Sequence, residues 1–313
     1  METYRSYTDV PQTAQGSTSV IGNFDGIHRG HQSVIDTART IADKTGTPLG
    51  VITFEPHPRS FFAPDGEPFR LMNPASRSLK LAALGVDVLF ELPFDRALAT
   101  MTAEAFTSDV LGQGLGLSHA VVGKDFRYGV RRAGTHETLV ADCRKHAIDV
   151  MIVPELALAN HKVSSTAIRT AIREGDIKTA TQLLGSHHTI AGPVVSGEKR
   201  GRTLGFPTAN LALDALLQPR AGVYAARVTL QNAPNQEPQP GVASIGIKPT
   251  FGTHPSCLEV HIFDFDTNIY DQLIAIELVA FLRPEIAFAS PQDLVSQMHN
   301  DCREAKAILA EIN

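Results

Sequence analysis

Residues 18–42 read TSVIGNFDGIHRGHQSVIDTARTIA. TSVIGNF is a short apolar run with the length of a buried strand, and QSVIDTARTIA carries apolar residues at helical spacing. Between them lies a polar turn, GNFDGIHRGH (Gly22–His31). A strand that passes through a glycine-bearing turn straight into a helix is the opening unit of a parallel α/β sheet.

Four more apolar runs follow at spacings that leave room for crossover helices: PLGVITFE (48–55), VDVLFELP (86–93), HAVVG (119–123) and DVMIVPEL (149–156). Together they imply a doubly wound parallel sheet covered on both faces. Two helical patterns, AIRTAIREG and DIKTATQLLG, close this half, the second ending at Gly185 as a C-cap. From His187 the period changes to two for about 100 residues, through HTIAGPVV, GVYAARVTL, GVASIGI, SCLEVHIFDF and LIAIELVAFL. Leu258, Val260 and Ile262 share one face while Glu259, His261 and Phe263 share the other, the pattern of a small antiparallel β-barrel. A last helix opens with Ser290 as N-cap, Pro291 at its first position and Asp293 completing a capping box. Its apolar stripe is Leu294, Met298, Cys302, Ala305, Leu309 and Ile312. The expected fold is therefore an α/β domain over residues 1–185 and a β-barrel with a C-terminal helix over 186–313. QNAPNQEPQP (231–240) reads as an exposed hairpin loop.

The chain's 313 residues suit two domains at roughly 150 residues each. Its net charge of −5 gives no bulk attraction to nucleic acid or to an anionic membrane. LIAIELVAF falls well short of the roughly 18 apolar residues of a membrane span and contains Glu277. The N-terminal stretch has no basic region followed by an apolar run, so a cytoplasmic protein is expected. Cys143, Cys257 and Cys302 are far apart and form no C-x-x-C pair, which argues against a disulfide framework or a thiolate zinc site.

The chemistry concentrates at two helix starts. His28 and His31 stand three apart where the first helix begins, on one side of its first turn and near its free backbone N–H groups. Gly30 lets the backbone approach closely, and the two imidazoles can donate to phosphate oxygens whose charge grows during transfer. That arrangement points to nucleotidyl transfer by direct attack on an α-phosphorus. A zinc pair and two structural histidines are the competing readings; no third ligand is evident for the first. Ser164, Ser165 and Thr166 with Arg169 one turn later form a second anion cradle, although Ser-Ser-Thr is also an ordinary capping sequence. GQGLG (112–116) imitates a dinucleotide loop but follows a helical pattern, and Asp264, Asp266 and Asn268 imitate a calcium loop that lacks its glycine and its closing glutamate. No Walker A motif is present.

H-x-G-H early and S-S-T-x-x-R late resemble the nucleotidylyltransferase superfamily. With TFEPHP (53–58), VVGKDFRYG (121–129) and GRTLGFPTAN (201–210), nearly the whole chain resembles the bacterial bifunctional riboflavin kinase and FMN adenylyltransferase family. The resemblance implies an N-terminal nucleotidyltransferase domain that makes FAD and pyrophosphate from FMN and ATP. His28 and His31 would stabilise the α-phosphate, and Ser164, Ser165, Thr166 and Arg169 would hold the triphosphate. Gly22, Asn23, Phe24 and Gly30 would approach the nucleotide, and Asp125 and Arg127 would position a phosphate. Phe54, Pro56, His57, Pro58 and Phe62 would form a flavin wall. For the barrel it implies a riboflavin kinase that makes FMN with ATP. Thr208 and Asn210 would hold Mg²⁺, Glu259 would act as general base, and Lys199 and Arg202 would meet phosphates. Arg283, Glu285 and Phe288 would close over the flavin. Lys248, Asp271 and Ser244 depart from the family pattern, where arginine, glycine and asparagine are usual. A nucleotidyltransferase with a different acceptor and a passive barrel is the alternative. Oligomeric state, including a homo-oligomer, is left open.

Overall fold

In the computed structural model, residues 1–158, 161–197, 201, 204–231, 237–246 and 257–311 are described. They fall into two compact units, Met1–Glu67 with Pro74–Ser164, and Pro68–Asn73 with Ser165–Asn313. The packing division thus precedes Gly185: the helices Ser165–Glu174 and Ile177–Leu184 go with the barrel. Ile177 joins the barrel's core cluster, a packing that sequence period alone does not show.

The first unit holds a six-stranded parallel sheet in the order β1-β4-β3-β2-β5-β6. Its strands are β1 (Glu2–Tyr4), β2 (Thr18–Ile21), β3 (Leu49–Glu55), β4 (Val88–Pro93), β5 (His119–Gly123) and β6 (Asp149–Val153). Adjacent residues such as Val51 and Ile52, or Leu89 and Phe90, are both buried, as a sheet covered on two faces requires. The chain winds outward from β2 through β3 to β4, then resumes at β5 on the other side. The loop after β2 therefore emerges at the point where strand order reverses, the ligand crevice of open α/β sheets. Three helices of this unit bear on the site: α1 (Arg29–Thr45), the five-residue α2 (Pro58–Phe62) and α3 (Pro74–Ala83). GQGLG lies at the end of a π-helical segment, Phe106–Gly114, consistent with a helix end. A two-stranded hairpin, β7 (Ala157–Leu158) and β8 (His161–Lys162), precedes Ser164.

The second unit holds a six-stranded antiparallel sheet in the order β10-β13-β12-β11-β14-β9. The strands are β9 (His188–Pro193), β10 (Ala209–Ala212), β11 (Gly222–Leu230), β12 (Gln239–Gly246), β13 (Cys257–Ile262) and β14 (Leu273–Arg283). A bridge between Val195 and Asn210 brings the two edges together, so the barrel is nearly closed. Burial along β13 alternates, with Leu258, Val260 and Ile262 inside. Phe263 is also buried, because Ala305 and Leu309 of the helix Pro291–Glu311 cover it. Ser290 Oγ accepts the Asp293 N–H at 3.2 Å, but the Asp293 carboxylate accepts from the Ser290 hydroxyl, so the box closes between side chains. Gly185 caps the helix Ile177–Leu184 in the left-handed region, as expected. Asp271 has φ 62°, which accounts for glycine being usual there: the turn needs a left-handed residue, and aspartate tolerates that conformation. Ile312, Lys248 and part of QNAPNQEPQP lie outside the described residues.

Candidate active sites

His28 is the N-cap of α1, and its Nδ1 accepts the His31 backbone N–H at 3.2 Å. With Nδ1 committed as acceptor, the neutral ring carries its proton on Nε2. The His28 and His31 rings stack with centroids 3.6 Å apart and planes 13° from parallel. A Cβ at Gly30 would lie 3.1 Å from His28 Nδ1, so glycine is needed for the ring to fold back over the turn. Gly22 lies in ordinary contact with the Phe24 ring.

Phe24 is a buried side chain. It is 2% exposed and its ring meets that of His31 at 5.1 Å, so its surface is spent supporting the histidine. Asn23 contributes a backbone carbonyl that accepts from Thr53 Oγ1 at 3.3 Å and from Arg77 Nη1 at 3.5 Å. The loop is unusual in conformation: Phe24, Gly26 and Ile27 all have positive φ, at 51°, 90° and 43°.

The TFEPHP segment divides its roles. His57 is buried and caps α2, its Nδ1 accepting the Arg59 N–H at 3.0 Å, and Pro58 opens that helix. Pro56 is exposed. Phe54 meets Phe94 edge-on at 5.9 Å, Phe62 meets Phe94 at 5.8 Å, and Phe61 meets both Phe62 and Phe94. Phe62 remains 67% exposed, so the cluster presents an aromatic face to solvent. Phe61 and Phe94 were missed in the sequence; Phe94 lies just past β4, where no motif marks it. Asp125 is exposed with its carboxylate 3.5 Å from Lys162, which also pairs with Glu155, and Arg127 is exposed.

In the second unit, Ser165 opens the helix Ser165–Glu174, with Thr166 exposed. Arg169 donates Nε to the Phe69 carbonyl at 2.8 Å and lies over the Phe69 ring. Ser164, half-buried, ends the first unit.

The barrel gathers its own set. Asn210 and Glu259 are register partners of β10 and β13, so both side chains leave the sheet on the same face. Thr208 Oγ1 donates to Glu259 Oε2 at 3.4 Å, leaving the hydroxyl oxygen able to accept or to ligate. Asn210 is 5% exposed, and a Cβ at Gly197 would fall 2.5 Å from its amide nitrogen. Thr208 and Asn210 line a cavity of about 390 Å³ with Val260, Ile262, Phe265 and Tyr270 among its walls. The oxygen-only set of Thr208, Asn210 and Glu259 fits a hard cation such as Mg²⁺.

Arg283 has a structural partner. Its Nε and Nη2 form a two-point ion pair with Asp301 at 2.8 and 2.7 Å, joining β14 to the C-terminal helix. Nη1 donates to the Pro284 carbonyl. Glu285 is exposed beside Gly246, and Phe288 lies 5.9 Å from the Arg283 guanidinium. Lys199 and Arg202 lie outside the described residues.

Comparison with known proteins follows the same division. Residues 10–167 match the family model of FAD synthetase, and residues 184–309 match that of riboflavin kinase. The chain is 38% identical over 307 residues to the bifunctional riboflavin kinase/FMN adenylyltransferase of Haemophilus influenzae, covering 98% of this chain and 99% of that one. It is 39% identical over 295 residues to the protein of the same name in Bacillus subtilis, covering 92% and 91%. Among solved structures, one from Streptococcus pneumoniae described as a macrolide-efflux protein superposes with a TM-score of 0.84 at 33% identity, over 97% of this chain and 98% of that one. Among the described residues of this chain, no helix is long and apolar enough to cross a membrane.

Proposed function

The chain belongs to the family of bifunctional riboflavin kinases/FMN adenylyltransferases, and from that premise we propose which of its residues carry each reaction. It is an enzyme that phosphorylates riboflavin to FMN and adenylylates FMN to FAD, with ATP as co-substrate in both steps. The adenylyltransferase function is assigned to residues 1–185 and the kinase to 186–313. A passive barrel is set aside, since the riboflavin kinase model spans it.

In adenylyl transfer an FMN phosphate oxygen attacks the α-phosphorus of ATP and pyrophosphate leaves. His28 Nε2–H and the His31 ring donate to the α-phosphate oxygens, stabilising charge that grows in the transition state. The aromatic face of Phe54, Phe61, Phe62 and Phe94 receives the isoalloxazine ring. Ser164, Ser165, Thr166 and Arg169 keep the phosphate-binding role that the resemblance implies. Asp125 and Arg127, both exposed, keep the phosphate-positioning role.

In the kinase reaction Glu259 accepts the proton of the ribityl 5′-hydroxyl as that oxygen attacks the γ-phosphorus, and ADP leaves. Thr208 and Asn210 would hold Mg²⁺ beside the phosphates of the nucleotide. Such an ion would supply neutralisation of phosphate charge. The adjacent cavity accepts the nucleotide. The Arg283–Asp301 pair shapes the flavin side by fixing the strand end from which Glu285 and Phe288 project. Both reactions consume ATP, which supports a cytoplasmic location for the enzyme.

The observation that carries the kinase assignment is the Asn210–Glu259 register, which supports reading the two as metal ligand and base. The test is reciprocal. Asn210→Ala should abolish FMN formation from riboflavin while FAD still forms from added FMN, and His28→Ala should do the reverse. Loss of both reactions in either variant would overturn the assignment of separate sites.

A further inference from the structure

The loop that delivers His28 to its place is held in a conformation its residues do not favour. Ile27 is β-branched and buried at φ 43°, and Phe24 sits at φ 51°; such backbone persists only where its surroundings over-determine it. Two cationic side chains one turn apart on α3 bind two carbonyls of this loop. Arg77 Nη1 donates to Asn23 O at 3.5 Å, and Lys80 Nζ donates to Gly26 O at 3.4 Å. Arg77 is 1% exposed. Its Nη2 also binds Glu91 Oε1 of β4 at 2.9 Å and Glu55 Oε2 of β3 at 3.1 Å. Glu55 lies between Phe54 and Pro56 of the flavin wall.

A buried ion cluster is a poor source of stability, because desolvation of its charges offsets their attraction, and well-packed apolar residues often serve as well. Geometry is what this cluster supplies. One guanidinium meets the histidine loop and the strand end that leads into the flavin wall, with a fork of fixed shape that lysine lacks. Burial lowers the pKa of Lys80, a mark of the same desolvated floor beneath the loop.

We propose that Arg77 is a positioning residue for adenylyl transfer, clamping the Gly22–Ile27 loop to the Glu55 end of β3 with Lys80 as its second anchor, so that His28 is held where charge develops on the α-phosphate. The proposal rests on the assignment of His28 to that step. Misplacing a stabilising group by a fraction of an ångström affects the transition state more than substrate binding, so the effect belongs in kcat.

The test uses the full-length enzyme, with riboflavin phosphorylation as the control for the barrel and circular dichroism as the control of folding. Arg77→Lys, Arg77→Met and Lys80→Met are compared for kcat and KM in FAD formation from FMN. Arg77→Lys should keep the thermal midpoint close to that of the parent while kcat for FAD formation falls at least tenfold, with KM for FMN and ATP within about threefold. Arg77→Met should lose as much or more kcat, Lys80→Met should lose less, and FMN formation should stay within twofold throughout. Should Arg77→Met not fold, the lysine variant and Lys80→Met decide. Unchanged kcat in Arg77→Lys, or a loss that merely tracks the folded fraction by circular dichroism, overturns the clamp. His28→Ala separates the two ideas: if it leaves FAD formation intact, the assignment of His28 fails first.

Discussion

The imidazole of His28 folds back over its own helix turn, so that Nδ1 accepts the N–H of His31 while the two rings stack at 3.6 Å. One hydrogen bond thereby fixes the ring's orientation, its tautomer and the direction in which Nε2–H faces. The stack depends on Gly30, whose absent side chain leaves the space the His28 ring occupies.

Gly30→Ala should therefore impair adenylyl transfer without removing any functional group. The added methyl would stand 3.1 to 3.2 Å from the His28 ring and push it off the turn. A displacement approaching 1 Å costs on the order of 100-fold in rate, so kcat for FAD formation should fall ten- to 100-fold. Riboflavin phosphorylation should be unchanged. Flavin separation after incubation with FMN and ATP measures it, and an undiminished rate would show that the ring has another place to go.

The barrel has a parallel case. Gly197 lies so near the Asn210 amide that a methyl group there would overlap it, at 2.5 to 2.7 Å. Gly197→Ala should move the amide away from Thr208 and Glu259 and reduce FMN formation tenfold or more, with FAD formation from added FMN retained. Magnesium titration of the kinase reaction should show a raised requirement in this variant. A normal magnesium dependence would argue that Asn210 holds no metal.

Arg283 and Asp301 set a prediction for stability. Asp301 is 3% exposed, with its carboxylate fully engaged by Arg283 and Gln297. Arg283→Met would strand a buried carboxylate, and breaking such a pair costs about 3–5 kcal/mol. Urea unfolding should show the midpoint falling accordingly. The double variant Arg283→Met with Asp301→Leu should recover part of the loss, since no charge is then left unpaired. Equal midpoints for the single variant and the parent would contradict the structural role of the pair.

Cys143 gives a pH dependence with a definite sign. Burial pushes its thiol up to about 12. In the unfolded chain a thiol ionises near about 8.5, so above that pH the unfolded state sheds a proton that the folded state retains. Stability from this group is complete below about pH 8.5 and declines as pH rises towards about 12, by roughly 1–2 kcal/mol at pH 10. Comparing urea midpoints at pH 8 and pH 10 should show a steeper fall for the parent than for Cys143→Ala. Parallel falls would mean that the thiol is not shielded.

Much of this was legible in the sequence because the determining signals are local. The strand, turn and helix of residues 18–42 follow from period and glycine placement, and the alternation in LEVHIF gave both β13 and the outward position of Glu259. What stayed hidden depends on distant partners. Nothing near Arg77 marks it, since its meaning comes from Glu55, Glu91 and the Asn23 carbonyl, which other strands and loops bring to it. Arg283 looked like a ligand-facing residue because Asp301 lies 18 positions away on a helix whose docking face was readable but whose polar partner was not. The packing of Ile177 into the barrel stayed hidden for a related reason, as its helix continues the rhythm of the first half.

Phe94 is the centre of the aromatic cluster proposed to receive the flavin, meeting Phe54, Phe61 and Phe62 edge-on between 5.4 and 5.9 Å. Edge-to-face pairs contribute about 0.5–1.5 kcal/mol each beyond burial, so Phe94 constrains the ring of Phe54 on β3 and those of Phe61 and Phe62 on α2. Phe94→Leu keeps most of the apolar volume and removes that constraint. KM for FMN in FAD formation should rise five- to 20-fold while KM for ATP stays within twofold, because the cluster meets the flavin and not the nucleotide. Riboflavin phosphorylation should be unaffected. A rise in KM for ATP of the same size would mean that the cluster supports the whole site, whereas no rise for FMN would place the isoalloxazine ring elsewhere.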